Sequence, residues 1–489
     1  MADSHSRTRP VHLRGALLLL LATASSLVTA SSTANSDNDN DNDNGLPLPQ
    51  VGQCAWSKYG YPMASMARLD VCPRPVSDLS ADYAPWSYKP FCIRAPMNAT
   101  VREPGYEGAV AKEGEDEDAV PRVNAAGRKY CVYTARTFRG RGLSVISTPQ
   151  MAANLVASLD DTRVLPRLRD HPASSMAKRD AARAAGRPYT IKNVQQGHGK
   201  GLVARRRVPK WGEVLIGFPI MMARTDFLEA LPDADRKVLE DRAMQQLPRP
   251  AQQAILSLAH GLVAGERDKE FLLEHIFRSN IFAIEIAGVH HFSLQVEGSR
   301  INHDCRPNTF WRYSQSTMTH EVVAFREISI GEEFTHSYLP LGLPLKDRQE
   351  SIRRWGFTCH CSLCTAPPKV SFSSDIRRTR LVEIYTTLEG EAYEGMLTRD
   401  KIETLLAEMM LLINGEDLVP QLCEYYAMIA RAYLSIEAFE DARHYAQQSE
   451  EYWIRYGTEE HDNVDGVRTM WKMIEDAEKA REERLRRRA

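Results

Sequence analysis

The residues able to do chemistry gather in the second half of the chain. Cys359, Cys361 and Cys364 place three thiols in one short segment. A structural zinc ion takes four ligands of this kind in a tetrahedron, so a fourth must come from elsewhere; the same thiols could instead form disulfides or a redox cluster. Asn302-His303 sets a side-chain amide beside an imidazole, a pair that can bind a polar ligand or close a turn. Tyr338 ends the run Gly331-Glu332-Glu333-Phe334-Thr335-His336-Ser337-Tyr338. Its phenol, with an ordinary pKa of about 10, stays protonated at neutral pH and can donate or accept one hydrogen bond; a core strand tyrosine would read the same. His336 is a further titratable group whose orientation the sequence leaves open. Upstream, Gly199-Lys200-Gly201 could let main-chain amides approach a charged ligand or could be a hairpin turn.

These groups need elements to hold them. Tyr189–Val194 and Leu202–Arg205 are short β-type runs on either side of the glycine loop, and Val214–Ile220 is another. From Thr225 to about Gly261 the periodicity is helical, through Phe227, Leu228, Leu231 and Leu239, with breaks at Pro232, Pro248 and Pro250. Strand patterns return at Phe282–Ile286, His291–Val296 and Glu321–Phe325 and in the run into Tyr338. Strands with a helical insertion predict a mixed α+β domain. From Ile376 onward the pattern is helical. Within Leu422–Tyr456, residues Tyr425, Ala430, Tyr433, Leu434, Ala442 and Ala446 have the small/aromatic spacing of a single tetratricopeptide-like (TPR-like) hairpin. The closing Arg484–Arg488 run reads as a solvated helix end.

The chain has 489 residues and a net charge of −2. That length allows roughly two to four domains, and that charge gives no field favouring nucleic acid or an anionic membrane. Arg7, Arg9 and Arg14 precede an apolar run from Ala16 to Val28, with small residues at Val28-Thr29-Ala30. This reads as a secretory signal cleaved after Ala30, too short for a spanning helix of about 20 residues. No membrane span is expected once it is removed. The Asp-Asn tract after Ser36 has nothing apolar to bury and reads as a linker. Cys54, Cys72, Cys92 and Cys131 lie behind the leader, which predicts two disulfides of undetermined connectivity. The sequon Asn98-Ala99-Thr100 fits the same route.

Three segments, in order, carry a resemblance. They are Asn302-His303-Asp304-Cys305-Arg306-Pro307-Asn308, Gly331-Glu332-Glu333 through Tyr338, and Cys359-His360-Cys361-Ser362-Leu363-Cys364. Together they resemble the SET domain of protein lysine methyltransferases with its cysteine-rich post-SET tail. The resemblance covers about residues 188–366 and is closest to the SET-and-MYND subgroup, without a MYND finger, since the helical insertion has no cysteine. It implies that Gly199, Lys200 and Gly201 cradle S-adenosylmethionine (SAM) through main chain. It implies that Asn302 and His303 bind the same cofactor, with Asn280 of the Asn280-Ile281-Phe282 segment nearby and Phe357 stacked on the adenine. It implies that Tyr338 aligns the methyl sulfonium with a lysine amine, and that Cys305 completes a Zn²⁺ site with Cys359, Cys361 and Cys364.

The expected organisation is a signal peptide (1–30), a linker (31–50), a small cysteine-rich module (51–150), a connector (151–187), the SET domain (188–340), a post-SET zinc segment (341–366) and TPR-like helices (367–489). The expected activity is SAM-dependent methylation of a lysine in a protein substrate, with the TPR-like helices as a candidate partner surface and no direct nucleic-acid binding. The alternatives are a catalytically silent SET-fold interaction module and a secreted interaction protein with a vestigial SET fold. The expected location is the secretory pathway or outside the cell, or the nucleus or cytoplasm if the leader is unused.

Overall fold

The computed structural model describes residues 85–102, 122–159, 186–194, 199–259 and 272–488. The expected leader, the Asp-Asn tract, Cys54, Cys72 and most of the 151–187 connector lie outside them.

The first strands are β1 (Phe91–Arg94), β2 (Thr100–Arg102), β3 (Arg122–Asn124), β4 (Lys129–Ala135) and β5 (Leu143–Ser147). Strand β5 is buried along its whole length and β4 along nearly all of it, as their β-branched and aromatic residues require. Strands β6 (Tyr189–Asn193), β7 (Lys200–Ala204), β8 (Glu213–Gly217) and β9 (Met221–Arg224) follow. After a helical insertion come β10 (Ile281–Ile286), β11 (Val289–Leu294), β12 (Asn302–His303), β13 (Thr309–Ser314), β14 (Thr319–Ala324) and β15 (Thr335–His336).

A six-stranded sheet runs β1-β4-β5-β9-β11-β10. Strand β5 pairs parallel to β9, with Val145 opposite Met222. The segment assigned to a cysteine-rich module thus supplies three strands to a sheet completed by strands of the 188–340 segment. The reason is apolar content: Tyr133, Leu143 and Val145 share one buried cluster with Met222, Ile284 and Ile286. Cys92 and Cys131 are directly opposite in β1 and β4 and form a disulfide.

The insertion packs helices Asp233–Gln246, Arg249–Leu256 and Leu272–Asn280 on this sheet through Leu239, Ala243, Ile255, Ile276 and Phe277. Pro232 and Pro248 stand just before the first two helices, where a missing N–H costs nothing. Strands β13, β14 and β8 make a second, antiparallel sheet. The architecture is α+β, as expected.

Beyond residue 367 the chain is helical: Pro368–Glu394, Arg399–Glu416, Leu422–Ser435, Phe439–Gly457 and Asp462–Arg488. Their shared core holds Leu381, Ile384, Met409, Ile413, Ile429, Ala442 and Val467. Tyr456 inserts between this region and the second sheet, with its ring 4.5 Å from Phe310 and 5.6 Å from Trp211. Among the described residues no helix is long and apolar enough to cross a membrane.

Candidate functional site

Two extended segments distant in sequence meet at the centre of the site. Strand β12 pairs parallel to β15, with Asn302 opposite Thr335 and His303 opposite His336. The ladder continues as Asp304 N–H donates to the His336 carbonyl at 3.1 Å. Asn308 locks the far end: its Nδ2 donates to the Glu333 carbonyl at 2.8 Å, and its Oδ1 accepts from Thr335 N–H at 2.9 Å. Asn308 is buried, where an unmatched amide would be costly.

The glycine loop abuts this crossing. Strands β6 and β7 form a hairpin whose last pair is Asn193 with Lys200. Gly199 has φ +73°, and a Cβ there would meet nothing within 4 Å among the described residues. A left-handed glycine with no described side chain against it leaves its backbone approachable. Gly201 faces the opposite way: a Cβ would lie 2.5 Å from Glu333 Oε1 and 2.9 Å from Asn302 Nδ2. Those two side chains are themselves bonded, Asn302 Nδ2 donating to Glu333 Oε1 at 2.7 Å. The loop, Asn302 and Glu333 thus form one polar corner.

Tyr338 stands at the other side of β12. Its hydroxyl donates to the Ile301 carbonyl at 2.9 Å, and its ring lies 5.1–5.5 Å from those of His336, His303 and Trp355. Phe357 adds a further ring 6.4 Å from both Tyr338 and His303. Burial pushes the phenol well above its ordinary value, with the Glu333 charge acting in the same sense, so it is protonated at any physiological pH.

The two imidazoles divide their roles. His303 Nδ1 accepts from Tyr338 N–H at 3.0 Å, so its proton is assigned to Nε2, 3.3 Å from Cys305 Sγ. It links the tyrosine to the cysteine cluster, with both ring nitrogens engaged. His336 is buried, and among the described residues no hydrogen-bond partner lies near its Nδ1. Burial pushes its pKa down to about 3, so it is neutral and far too weak a base to take a proton from a lysine ammonium near pKa ~10.4.

Cys305, Cys359, Cys361 and Cys364 bring all four sulfurs within 4.8 Å of one another, with no disulfide among them. Four sulfurs held about 2.3 Å from one zinc sit about 3.8 Å apart; Cys305 is 3.9 Å from Cys359 and 3.6 Å from Cys364. Hydrogen bonding within the cluster pushes the Cys361 and Cys364 thiols down and the Cys305 thiol up; a bound metal would take all four as thiolates. The donor set and spacing fit a structural zinc ion.

The structure therefore gathers Gly199, Gly201, Asn302, His303, Tyr338, Phe357 and the four cysteines around the β12–β15 crossing. Lys200 is exposed at the start of β7. Asn280 lies to one side, its Nδ2 donating to the Ala259 and Ile276 carbonyls at the end of its helix. Its own carbonyl accepts from Ser299 Oγ, just ahead of β12. Phe282 stacks edge-on against His336 with ring centres 5.6 Å apart. Sequence reasoning assigned no role to Glu333 or Ile301. Glu333 sits inside the Gly-Glu-Glu run, whereas the Ile301 contact is made by main chain and leaves no trace in residue type.

Residues 199–339 match the family model described as SET domain. "Histone-lysine N-methyltransferase set5" of Schizosaccharomyces pombe is 28% identical over 185 residues, 37% of this chain and 53% of that protein. "N-lysine methyltransferase SMYD2" of Homo sapiens is 35% identical over 102 residues, 20% of this chain and 23% of that protein. "Histone-lysine N-methyltransferase ATXR2" of Arabidopsis thaliana is 40% identical over 79 residues, 16% of each chain. The chain thus spans about half, or less, of the length of these curated relatives.

Proposed function

We propose that this chain, which carries a SET domain, transfers a methyl group from SAM to the side-chain amine of a lysine in a protein substrate. The observation that carries this is the convergence of Gly201, Asn302, Glu333 and Tyr338 where β7, β12 and β15 meet. The names of the relatives point the same way.

Bound SAM would supply an electrophilic methyl group on a sulfonium. The chain's own residues do the rest. Gly199 and Gly201 leave main chain open on one side and closed on the other. Asn302 and Glu333 offer a donor and a carboxylate at the same corner, suited to a zwitterionic amino-acid moiety. Tyr338, fixed through Ile301, and the surrounding aromatic rings orient an incoming amine and exclude water. The transfer is a displacement that needs alignment and a deprotonated amine more than a strong base. That agrees with a site whose buried imidazole is neutral. Zinc, held by the four cysteines, would fix the tail carrying Phe357 to the segment carrying His303, with no part in the chemistry.

We also propose that the chain passes through the secretory pathway. Asn98 is exposed in the turn after β1, and the nearby Cys92–Cys131 disulfide suits an oxidising compartment. Both support passage through the secretory pathway.

The activity is tested by incubating the zinc-loaded full chain with SAM and a panel of lysine-rich proteins, then reading methylation by mass spectrometry. One or more lysines gaining methyl groups is expected. SAM binding without transfer to any substrate would favour the silent interaction module.

A further inference from the structure

The helical C-terminal region makes one charged contact with the cofactor segment that its own packing does not need. Glu416 is the last residue of the helix Arg399–Glu416 and is fully buried. Its Oε1 accepts from Arg377 Nε at 2.6 Å, and its Oε2 accepts from Ser374 Oγ at 2.6 Å and Arg378 Nε at 2.9 Å. All three donors lie on the neighbouring helix Pro368–Glu394, and together they already satisfy a buried carboxylate. A fourth donor reaches it from the other lobe: Arg306 Nη2 donates to Oε2 at 3.2 Å.

Arg306 directly follows Cys305 and stands three residues after His303. Its own N–H donates to Asp304 Oδ1 at 2.7 Å, and Asp304 N–H is bonded to the His336 carbonyl of β15. The segment that carries Asn302, His303 and Cys305 is therefore held on one side by β15 and on the other by a carboxylate of the helical region. Burial works to raise the Glu416 carboxyl; Ser374 and the arginines outweigh it, leaving the group below its ordinary value and ionised. A fixed charge with excess cationic donors holds a partner arginine in one place better than an apolar contact would.

We propose that Glu416 is a positioning residue for the cofactor site, acting through Arg306 to hold the Asn302–Asn308 segment in binding geometry. This rests on the methyltransferase reading above. The helical region is then part of the functional unit, and its orientation is transmitted to the site by one ion pair.

The experiment compares Arg306→Gln, Arg377→Gln, Glu416→Gln, Arg306→Lys and the double variant Arg306→Gln/Glu416→Gln in the full chain, measuring SAM Kd by calorimetry, zinc content and Tm. Arg377 touches the same carboxylate but not the cofactor segment, so it reports the merely structural cost. Arg306→Gln and Glu416→Gln are expected to raise the SAM Kd about tenfold with zinc retained, and the double variant no further, as coupled residues do. Arg306→Lys should recover part of the loss. Arg377→Gln should lower Tm but keep Kd within about twofold. If Glu416→Gln fails to fold, the Arg306→Gln and Arg377→Gln pair still decides. Equal Kd shifts in those two, or none in Arg306→Gln, overturns the proposal while leaving methyl transfer intact. A wild type that binds no SAM overturns both.

Discussion

A methyl group on Gly201 would have no room. Its nearest neighbours would be Glu333 Oε1 at 2.5 Å, Asn302 Nδ2 at 2.9 Å and Val194 Cγ1 at 3.0 Å, so Gly201→Ala must break the Asn302–Glu333 bond or shift β7. We expect a loss of about 1–3 kcal/mol in stability and loss of SAM-induced stabilisation, both read by thermal denaturation. Gly199→Ala meets nothing within 4 Å among the described residues and carries the cost of its φ of +73°, about 1–2 kcal/mol. It should still respond to SAM. Residue types made much of this corner legible: the glycines, Asn302, His303, Tyr338 and the cysteine spacing were all visible in the sequence. What sequence could not supply was direction. Whether His336 faced solvent or core depended on which strand β15 joined. Whether His303 kept a nitrogen available depended on where Cys305 would fold.

At the scale of elements, the cysteine tail and the helical region make two separate predictions. Chelation of zinc from the purified chain, or Cys359→Ser, should release the tail that carries Phe357, lower Tm and abolish SAM binding, because structural zinc contributes folding free energy directly. Metal analysis should give about one zinc per chain; a value near zero with those thiols in disulfides would contradict the site. Glu416 predicts a pH dependence. Burial raises its carboxyl, but Ser374, Arg377 and Arg378 together hold it below the ordinary 4.5. A folded-state pKa below the unfolded one adds stability that is present above that ordinary value and lost as pH falls through the folded value. The Tm gap between wild type and Glu416→Gln should therefore be constant near neutrality and shrink below about pH 4.5; a gap independent of pH down to acid unfolding would contradict it. The longer strands and the C-terminal helices were readable from periodicity. The run into Tyr338 also read as a strand, but its pairing with Asn302–His303 did not, because a two-residue parallel pair has no period of its own. That pair exists only through Asn308 and the elements around it.

At the scale of the whole molecule, β1, β4 and β5 share a sheet with strands of the segment that matches the SET domain model. The boundary at residue 150 followed cysteine, proline and charge composition, and composition does not record that Val145 pairs with Met222. Deleting residues 85–159 should therefore leave β9 without its parallel neighbour, and the remainder is expected to be insoluble or to have no cooperative unfolding transition. The proposed routing predicts that the full chain expressed through a eukaryotic secretory pathway loses its leader and carries a glycan on Asn98. That glycan should be removable by glycosidase and absent in Asn98→Gln; a chain that keeps Met1 and bears no glycan would contradict it. The central claim is tested most directly by measuring SAM binding and methyl transfer side by side in wild type, Tyr338→Phe and Asn302→Ala. A ligand that binds only the folded state adds about 2.7 kcal/mol at 100 times its Kd. Tyr338→Phe should keep most of that stabilisation while transfer falls about tenfold to a hundredfold, the worth of one aligning hydrogen bond. Asn302→Ala should lose the stabilisation itself. A wild type showing no SAM-dependent stabilisation when zinc-loaded and reduced, or a Tyr338→Phe variant that transfers methyl groups as fast as wild type, would contradict the account.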